Sequence, residues 1–308
     1  MKNTIILFVV LIIIALGVFF FTKDSGDKAP TDSNVTDLKN PSGNLPDDTQ
    51  TPNAEGIVKD EKQTVLGQSV GGNAITAYHY GTGDTELLFV GGIHGGYSWN
   101  TTLLAYEMVD YLEANPTVVP ANIKVTVVPV MNPDGLEKVT GSTGRFEPED
   151  VSPSNAVQVS GRFNANNVDL SRNFDCEWQT NALWQNKPVS GGATVFSEPE
   201  SVAMKNYIEA STPSAVVVWY SAEGKVYASS CGAPVLTETT VITNLFAKAS
   251  GYPAGQNFTA YKITGDFVDW LAQKEIPAIS VLLTNHQDVE WTKNKAGFEA
   301  LLAKYSTE

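Results

Sequence analysis

The sequence predicts an α/β domain with a mixed, largely parallel β-sheet covered by helices on both faces. From about residue 85 onward, short apolar runs alternate with segments whose apolar residues recur at helical spacing, a pattern typical of parallel strands joined by helices. One such unit, LLFVGGIHGGYSWN at 87–100, begins as an apolar run that ends in glycines. A strand, a sharp turn and a helix in this order place His94 at the edge of the sheet where open α/β proteins bind ligands.

The first 56 residues lie outside this predicted domain. Residues 5–21 are an uncharged apolar run just long enough to span a bilayer, and no cleavage site of small residues follows it. We therefore expect residues 1–23 to be an N-terminal membrane anchor, or a signal if the segment is cleaved. Residues 24–56 contain almost no large apolar side chain, so we expect a disordered tether. The domain at 57–308 would then be membrane-anchored outside the cytoplasm, or secreted.

The formal net charge of −14 argues against nucleic acid as a partner, because neutralising phosphates requires clustered Lys and Arg. The same charge disfavours contact between the domain and an anionic bilayer. We therefore expect membrane contact through the N-terminal segment alone, and we interpret the acidity as a solubility property.

The two cysteines, Cys176 and Cys231, each follow a motif that we expect at the same edge of the sheet. Outside the cytoplasm a disulfide between them is favoured. A pair of free buried thiols and a pair of metal-binding thiolates remain open alternatives, because the sequence does not give the distance between the two sulfurs.

The chain before residue 85 predicts a β-hairpin. Residues 63–70 and 74–80 read as strands, and a Gly-Gly-Asn turn signal separates them. His79 lies in the second strand, where a single histidine is more typical of a side chain on a sheet face than of a metal ligand.

The middle of the chain continues with a predicted helix at 101–112 and a predicted strand at 123–130. The strand leads into MNPDG at 131–135, which predicts a turn that can also line a site. Residues 140–167 are rich in Gly, Ser, Asn and Pro and predict a long surface loop, a kind of segment that is often functional.

The C-terminal half predicts two further strands and four helices. Ser197 is placed as an N-cap and Glu200 completes a capping box, so a helix should begin there and run to about residue 210. The predicted strands are 214–220 and 278–283, and the other predicted helices are 237–250, 266–274 and 288–305.

Five motifs now carry a family resemblance. They are GGIHGG at 91–96, NPDG at 132–135, GRFNANNVDLSRNF at 161–174, YKITGDFVDW at 261–270 and IPAISVLLTNH at 276–286. In these motifs and their order the chain resembles the zinc carboxypeptidases of the carboxypeptidase A type. The resemblance implies a mixed sheet between helices and a zinc ion held by two histidines and a glutamate, which leave an open position for a reactive water. It also implies a second glutamate as general base toward that water.

Matched one residue at a time, the catalytic positions are mostly replaced. His94 matches the first zinc-binding histidine, but the glutamate of the HxxE pattern is absent, and Tyr97, or Ser98 after a slip of one residue, stands there. Tyr220 stands at the second histidine. Leu282 stands at the general-base glutamate, and an apolar side chain cannot activate water.

The substrate-binding positions are better preserved. Under the resemblance, Arg162 matches the arginine that stabilises the oxyanion, and Arg172 matches the arginine that binds the C-terminal carboxylate. Ser171 replaces the asparagine that normally precedes this arginine. Tyr261 matches the mobile tyrosine that covers the bound peptide, and Asn132 is a further candidate for substrate binding.

These matches favour a degenerate carboxypeptidase-like protein, a pseudoenzyme that binds peptide or peptidoglycan stem-peptide C-termini without hydrolysing them. No cofactor is then expected. The alternative is an active metallocarboxypeptidase with zinc in a rearranged site, and a third hypothesis is a purely structural or partner-docking module. Substitute ligands for the rearranged site would come from His94, His286, Asp175, Glu223, Cys176 and Cys231. His286 follows a strand in a polar loop and is more typical of an exposed residue.

Overall fold

A computed structural model describes residues 62–307. The predicted anchor at 1–23 and the predicted tether at 24–56 lie outside the described residues. Within the described range, no helix combines the length and the apolar character that crossing a membrane would need.

Ten strands are described, and eight of them form one sheet in the order β1-β2-β4-β3-β7-β10-β8-β9. The strands are β1 Gln63–Gln68, β2 Ala74–Tyr80, β3 Thr85–Val90, β4 Ile123–Val128, β5 Asn181–Trp184, β6 Lys187–Ser190, β7 Ala215–Ser221, β8 Lys225–Ala228, β9 Ala254–Gly255 and β10 Ala278–Leu283. The central strands β4, β3, β7 and β10 are parallel, whereas β1, β2 and β8 join antiparallel neighbours. The predicted mixed, largely parallel sheet is confirmed.

Helices cover both faces of the sheet, as predicted. They are α1 Trp99–Ala114, α2 Pro133–Thr140, α3 Asn155–Ser160, α4 Pro199–Ser211, α5 Thr237–Ser250, α6 Phe267–Gln273 and α7 Trp291–Tyr305. Strand β3 contributes side chains to the hydrophobic clusters on both faces of the sheet. Leu87 and Phe89 pack in the cluster that contains α1, α5 and α7. Leu88 and Val90 face the opposite cluster with α4 and α6, because successive side chains of a strand point to opposite faces.

The predicted N-terminal hairpin is confirmed as the antiparallel pair β1 and β2. His79 lies on this sheet, where its ring nitrogens contact the hydroxyls of Thr126 at 3.0 Å and Thr64 at 3.1 Å. Its role is structural, as its position in the strand indicates.

The predicted turn at 131–135 is wrong, because Pro133 begins helix α2. Asn132 is the N-cap, and its side-chain Oδ1 accepts from the N–H of Gly135 at 2.8 Å. Proline at the first helical position and asparagine before it are favourable at a helix start. The same residues are frequent in turns, and the sequence pattern did not separate the two.

The start of helix α4 also differs from the prediction. The helix begins at Pro199 with Glu198 at the N-cap position and no side-chain cap. Ser197 Oγ instead donates to Glu198 Oε1 at 2.7 Å, and Glu200 accepts from the N–H of Val70 at 3.2 Å. A contact between adjacent residues and one to a distant part of the chain therefore replace the predicted capping box.

Two short features within or near the predicted loops were not foreseen. Helix α3 lies inside the predicted loop at 140–167, and the hairpin of β5 and β6 follows the arginine motif. Strands of four residues are too short for a clear alternating pattern. The hairpin matters because it supplies one wall of the site described below.

Cys176 and Cys231 form a disulfide with their Cα atoms 5.8 Å apart. The structure therefore has the favoured alternative of the three. The bond joins the loop that follows Arg172 to the loop that follows β8.

Candidate functional site

A cavity of about 990 Å³ opens where the chain leaves the carboxyl ends of β3, β7 and β10. Open α/β sheets bind ligands at this edge. The structure brings most of the predicted site residues together here. Those that line the cavity are His94, Tyr97, Arg162, Ser171, Arg172, Tyr220, Tyr261 and Leu282.

Glycines shape the turn that delivers His94. Gly95 has a φ of +43°, and a Cβ there would lie 2.6 Å from the carbonyl oxygen of Gly161. Only glycine fits both the left-handed conformation and the close approach of the two backbones. The predicted tight turn is confirmed, and it leaves His94 only 5% exposed.

His94 is a neutral, partly satisfied imidazole. Its Nε2 lies 2.9 Å from Ser171 Oγ, and Ser171 Oγ lies 2.8 Å from Asp169 Oδ1. Because Ser171 gives its proton to the carboxylate, Nε2–H of His94 donates and Nδ1 carries a lone pair. Nδ1 is buried without a hydrogen-bond partner among the described residues. Burial, and then the charge of Arg162, hold the pKa of His94 well below its ordinary value.

Arg162 is held by a carboxylate that sequence reasoning missed. Its Nε donates to Asp169 Oδ2 at 2.7 Å, and its guanidinium carbon lies 4.6 Å from the ring centre of Trp184. Burial opposes ionisation of Asp169, but Arg162 and Arg172 outweigh it and hold the pKa of the carboxyl well below its usual range. The carboxylate is therefore ionised and fixes the orientation of the guanidinium.

Arg172 is oriented mainly by backbone oxygens. Its Nη1 donates to the carbonyl of Ser171 at 2.6 Å and to Ser171 Oγ at 2.9 Å, while its Nε donates to the carbonyl of Leu183 at 3.1 Å. Across residues 62–307, neither Nη2 of Arg172 nor Nη1 of Arg162 has a hydrogen-bond acceptor. Both side chains are only 2% exposed, and both line the cavity. Two fixed guanidiniums thus keep donors available to a ligand.

Tyr97, and not Ser98, faces the cavity. The Tyr97 ring is half-buried and packs 5.0 Å from Trp184 and 4.4 Å from His286. Ser98 is buried, with its carbonyl accepting from Thr101. A slip of one residue would therefore place no ligand in the cavity.

Tyr220 and Leu282 occupy adjacent positions on neighbouring parallel strands. The ring of Tyr220 lies 5.4 Å from that of His94, and its hydroxyl donates to Asp266 Oδ1 at 3.3 Å. Burial raises the pKa of Tyr220 well above its ordinary value and also raises that of Tyr97. Both phenols are therefore protonated near neutral pH and are poor zinc ligands, since zinc binds thiolate, imidazole and carboxylate.

These residues do not fit a zinc ion. Nδ1 of His94 is one suitable donor, and within 62–307 no three His, Cys, Asp or Glu side chains are grouped to hold a metal. The substitute ligands do not assemble either, since the two cysteines are bonded to each other and Asp175 is exposed outside the cavity lining.

His286 and Glu223 line the cavity but are engaged elsewhere. Glu223 Oε1 accepts from the hydroxyl of Tyr227 at 2.6 Å, and Nδ1 of His286 lies 2.9 Å from Ser221 Oγ. The expectation that His286 is exposed is wrong. Its ring is half-buried, because the loop after β10 folds back over Tyr97.

The prediction for Asn132 is corrected, whereas Tyr261 lines the cavity. Asn132 is fully buried as the cap of α2 and donates to the carbonyl of Arg162 at 3.2 Å. Its hydrogen bond holds the backbone of Arg162, and Asn132 does not line the cavity. Tyr261 is half-buried at the cavity wall, with Phe258 at 4.9 Å. Its covering of a peptide stays a prediction.

Sequence reasoning also missed two acids in the wall near Arg172. Asp266 and Asp269 belong to the start of α6, and burial raises the pKa of both carboxyls, that of Asp269 to about 7. Both lie within the motif YKITGDFVDW, so the segment was found, but polar residues at a helix start are more often caps. Asp266 is indeed the N-cap and accepts from the N–H of Val268 at 3.1 Å.

Comparison with solved structures finds the same fold at low identity. Bovine thrombin-activatable fibrinolysis inhibitor, in complex with tick carboxypeptidase inhibitor, superposes with a TM-score of 0.61 and 16% identity over 79% of this chain and 88% of that chain. Murein-tripeptide amidase MpaA from Escherichia coli O157 gives a TM-score of 0.54 and 18% identity over 80% of this chain and 92% of that chain.

Sequence comparison identifies the family. Mouse (Mus musculus) carboxypeptidase D is 27% identical over 134 residues, which are 42% of this chain and 8% of that protein. The chain therefore matches only a small part of this relative. The family model described as zinc carboxypeptidase matches residues 61–288, most of the domain whose cavity has just been described, and the chain belongs to the zinc carboxypeptidase family.

Proposed function

We propose that the domain binds peptide C-termini, including those of peptidoglycan stem peptides, without zinc-dependent hydrolysis. The observation that carries the proposal is the pair of buried guanidiniums, Arg162 and Arg172, each with an unused donor in one cavity. Arginine recognises planar carboxylates through its fixed array of N–H groups.

The charges near these donors favour an anion. Arg162 and Arg172 supply two positive charges, and ionised Asp169 supplies one negative charge. The same cavity is also lined by Lys262 and by four acids, Glu177, Glu223, Asp266 and Asp269. In a domain that is otherwise acidic, the positive charge is therefore local to the two guanidiniums, whose free donors would meet a peptide carboxylate in a place where partial burial strengthens the attraction.

The remaining walls suit a short peptide. A volume of about 990 Å³ lies near the upper end of ordinary ligand pockets, at roughly 300–1,000 Å³. Aromatic side chains of Trp184, Phe258 and Tyr261 line it, and these can pack against peptide side chains. The similarity in fold to a murein-tripeptide amidase motivates the choice of stem peptides as ligands to test.

We also propose that the domain works outside the cytoplasm. The disulfide between Cys176 and Cys231 supports this, because such bonds persist mainly in oxidising compartments. The predicted anchor would then hold the domain at the membrane surface, where peptidoglycan peptides would be close at hand.

Calorimetric titration tests the binding proposal. The ligands are a tripeptide with a free C-terminal carboxylate, the same tripeptide as its C-terminal amide, and a peptidoglycan stem tripeptide. We expect the free acid to bind at least about tenfold more tightly than the amide, since a hydrogen bond to a charged group contributes about 1.5–3 kcal/mol. Equal affinities, or no binding by a folded protein, would refute the proposal.

The absence of zinc-dependent hydrolysis is tested separately. Protein purified without chelators and dialysed against trace zinc is assayed for metal by elemental mass spectrometry and for release of the C-terminal residue. We expect less than stoichiometric zinc and no release that zinc stimulates. One tightly bound zinc per chain, lost on His94→Ala, would instead support an active enzyme with a rearranged site.

A further inference from the structure

A serine and a histidine contact each other inside the same cavity. Ser221 is the last residue of β7, and His286 follows β10, the neighbouring parallel strand. Ser221 Oγ lies 2.9 Å from Nδ1 of His286, and both half-buried side chains line the cavity. The family resemblance assigns a role to neither residue, and neither is needed for the proposed binding of a carboxylate.

The surroundings fix both side chains. Asn100 donates its side-chain amide to the backbone carbonyls of Asn285 at 2.8 Å and Asp288 at 3.0 Å, which holds the loop that carries His286. Asn100 Oδ1, fixed in this way, accepts from the hydroxyl of Ser221 at 3.2 Å. The His286 ring packs at 4.4 Å on Tyr97. Of the two possible acceptors for the serine proton, Nδ1 of His286 is the nearer, at 2.9 Å against 3.2 Å for Asn100 Oδ1.

The histidine has the protonation state of a base. Burial, and then the charge of Arg162, lower the pKa of His286, so the ring is neutral near pH 7. With the proton on Nε2, Nδ1 offers a lone pair, and the Ser221 hydroxyl then turns from Asn100 Oδ1 to donate to Nδ1. A hydroxyl hydrogen-bonded to a neutral imidazole is the arrangement that activates serine as a nucleophile.

We propose that Ser221 is a nucleophile and His286 its base. Ser221 accepts the acyl group of a bound peptide, and no metal takes part. The inference rests on the proposed binding of peptides in this cavity. Ser221 Oγ attacks the carbonyl carbon of the last peptide bond, and its proton passes to His286 Nδ1. The Oγ–C bond forms, the C–N bond breaks, and the leaving amine takes the proton from Nδ1.

Water completes the cycle. A water molecule attacks the ester carbon while its proton passes to His286 Nδ1 and then to Ser221 Oγ, which leaves as the hydroxyl. The shortened peptide departs with a new carboxylate. Arg162, whose charge acts on His286 and whose Nη1 has no acceptor in the described structure, is the group available to stabilise the oxyanion. If deacylation is slow, the acyl-enzyme accumulates and turnover is low.

A fluorophosphonate probe tests the pair directly. The probe forms an O–P bond with an activated serine and releases fluoride, and intact-mass and peptide mass spectrometry locate the adduct. The full chain is labelled with and without a chelator. The variants are Ser221→Ala, His286→Gln and the control Ser280→Ala, which removes another serine of the same cavity.

We expect one adduct per chain at Ser221, at a rate that the chelator leaves unchanged. Ser221→Ala should abolish it, Ser280→Ala should leave it unchanged, and His286→Gln should slow it by about a hundredfold or more, since general bases contribute roughly 10²–10⁴ in rate. No adduct, an adduct elsewhere, or equal rates in wild type and His286→Gln would overturn the inference. Thermal unfolding shows that each variant is folded.

Peptide titration separates this inference from the proposed binding. If the probe fails while the free-acid tripeptide still binds, the catalytic pair is refuted and the binding proposal stands. If the probe labels Ser221 but the tripeptide neither binds nor slows labelling, the peptide is not the acyl donor, and both the binding proposal and the inference in its present form are refuted.

Discussion

Two walls of the cavity differ in how their side chains are held. We call Arg162, Ser171 and Arg172, with Asp169 buried behind them, the arginine wall, and His94, Tyr97, Tyr220 and Leu282 the tyrosine wall. On the arginine wall, charged groups are paired and oriented within one short segment. On the tyrosine wall, the positions belong to the turn after β3 and to strands β7 and β10. The side chains of the arginine wall therefore hold one another in place, whereas those of the tyrosine wall depend on how three separate elements pack.

The largest expected effect is on zinc content, when metal ligands are introduced on the tyrosine wall. In a variant with Tyr97→Glu and Tyr220→His, we expect zinc content to rise to about one per chain, because three suitable ligands then surround one position. Elemental mass spectrometry after dialysis measures it. The matched control adds His94→Ala and should lose the metal. A folded double variant that stays free of zinc would show that this wall no longer has the family's backbone geometry.

The next largest expected effect is on stability, when the central ion pair of the arginine wall is broken. Asp169→Asn removes the buried charge that faces Arg162 at 2.7 Å, and we expect a loss of about 3–5 kcal/mol in the free energy of unfolding. Urea unfolding measures it. The control Asp110→Asn breaks the exposed pair with Arg145 and should cost about 0–1 kcal/mol.

The acid dependence of the wild type follows from the same pair. The pKa of Asp169 lies below its unfolded value, so its contribution to stability is present above about pH 4 and is lost as the pH falls toward the folded-state pKa. Asp169→Asn should lose this part of the acid sensitivity. Equal stability of the two proteins at neutral pH would contradict the view that the wall depends on this pair.

Removing one guanidinium tests the wall as a binding surface. Arg172→Ala should weaken binding of a free-acid tripeptide by about 2–5 kcal/mol, because the ligand carboxylate would lose a buried cationic partner. Titration calorimetry measures it. Arg145→Ala, at an exposed arginine outside the cavity, should leave the affinity unchanged. Unchanged affinity in Arg172→Ala would favour a docking module in which the cavity is not used.

The same contrast explains what sequence reasoning could reach. The fold was predictable, because long apolar strands and amphipathic helices carry a strong periodic signal. The arginine wall was largely predictable too, since Arg162, Ser171 and Arg172 share one motif. Asp169, in the same motif, was overlooked because its importance comes from burial beside Arg162, which no sequence pattern records.

Residues joined only by the tertiary fold were the ones that sequence reasoning could not place. Ser221 and His286 are 65 residues apart, and only the pairing of β7 with β10 brings them into contact. Trp184 reaches Arg162 from a hairpin too short to predict. Asn132 was misjudged because asparagine is common both at helix caps and in binding sites. Its complete burial shows that it is a cap.

A smaller effect, on the pH dependence of peptide affinity, should come from Asp269, an acid near Arg172. Burial, and then the charge of Asp266, raise the pKa of Asp269 to about 7, while Arg172 lowers it and Glu177 raises it. As the pH rises through 7, Asp269 ionises and adds a negative charge near the bound carboxylate. We therefore expect the affinity for a free-acid tripeptide to fall a few-fold between pH 6 and pH 8, roughly as one partly screened charge would produce.

Asp269→Asn is the matched variant for this last effect. Asparagine keeps a side-chain oxygen that can accept the N–H of Ser230, as Asp269 does at 3.0 Å, but it does not ionise. Titrations at several pH values should give a flat profile for the variant, with the affinity of the wild type at pH 6. A parallel fall in both proteins would assign the pH dependence to another group. Asp269 would then have no part in how the arginine wall binds a carboxylate.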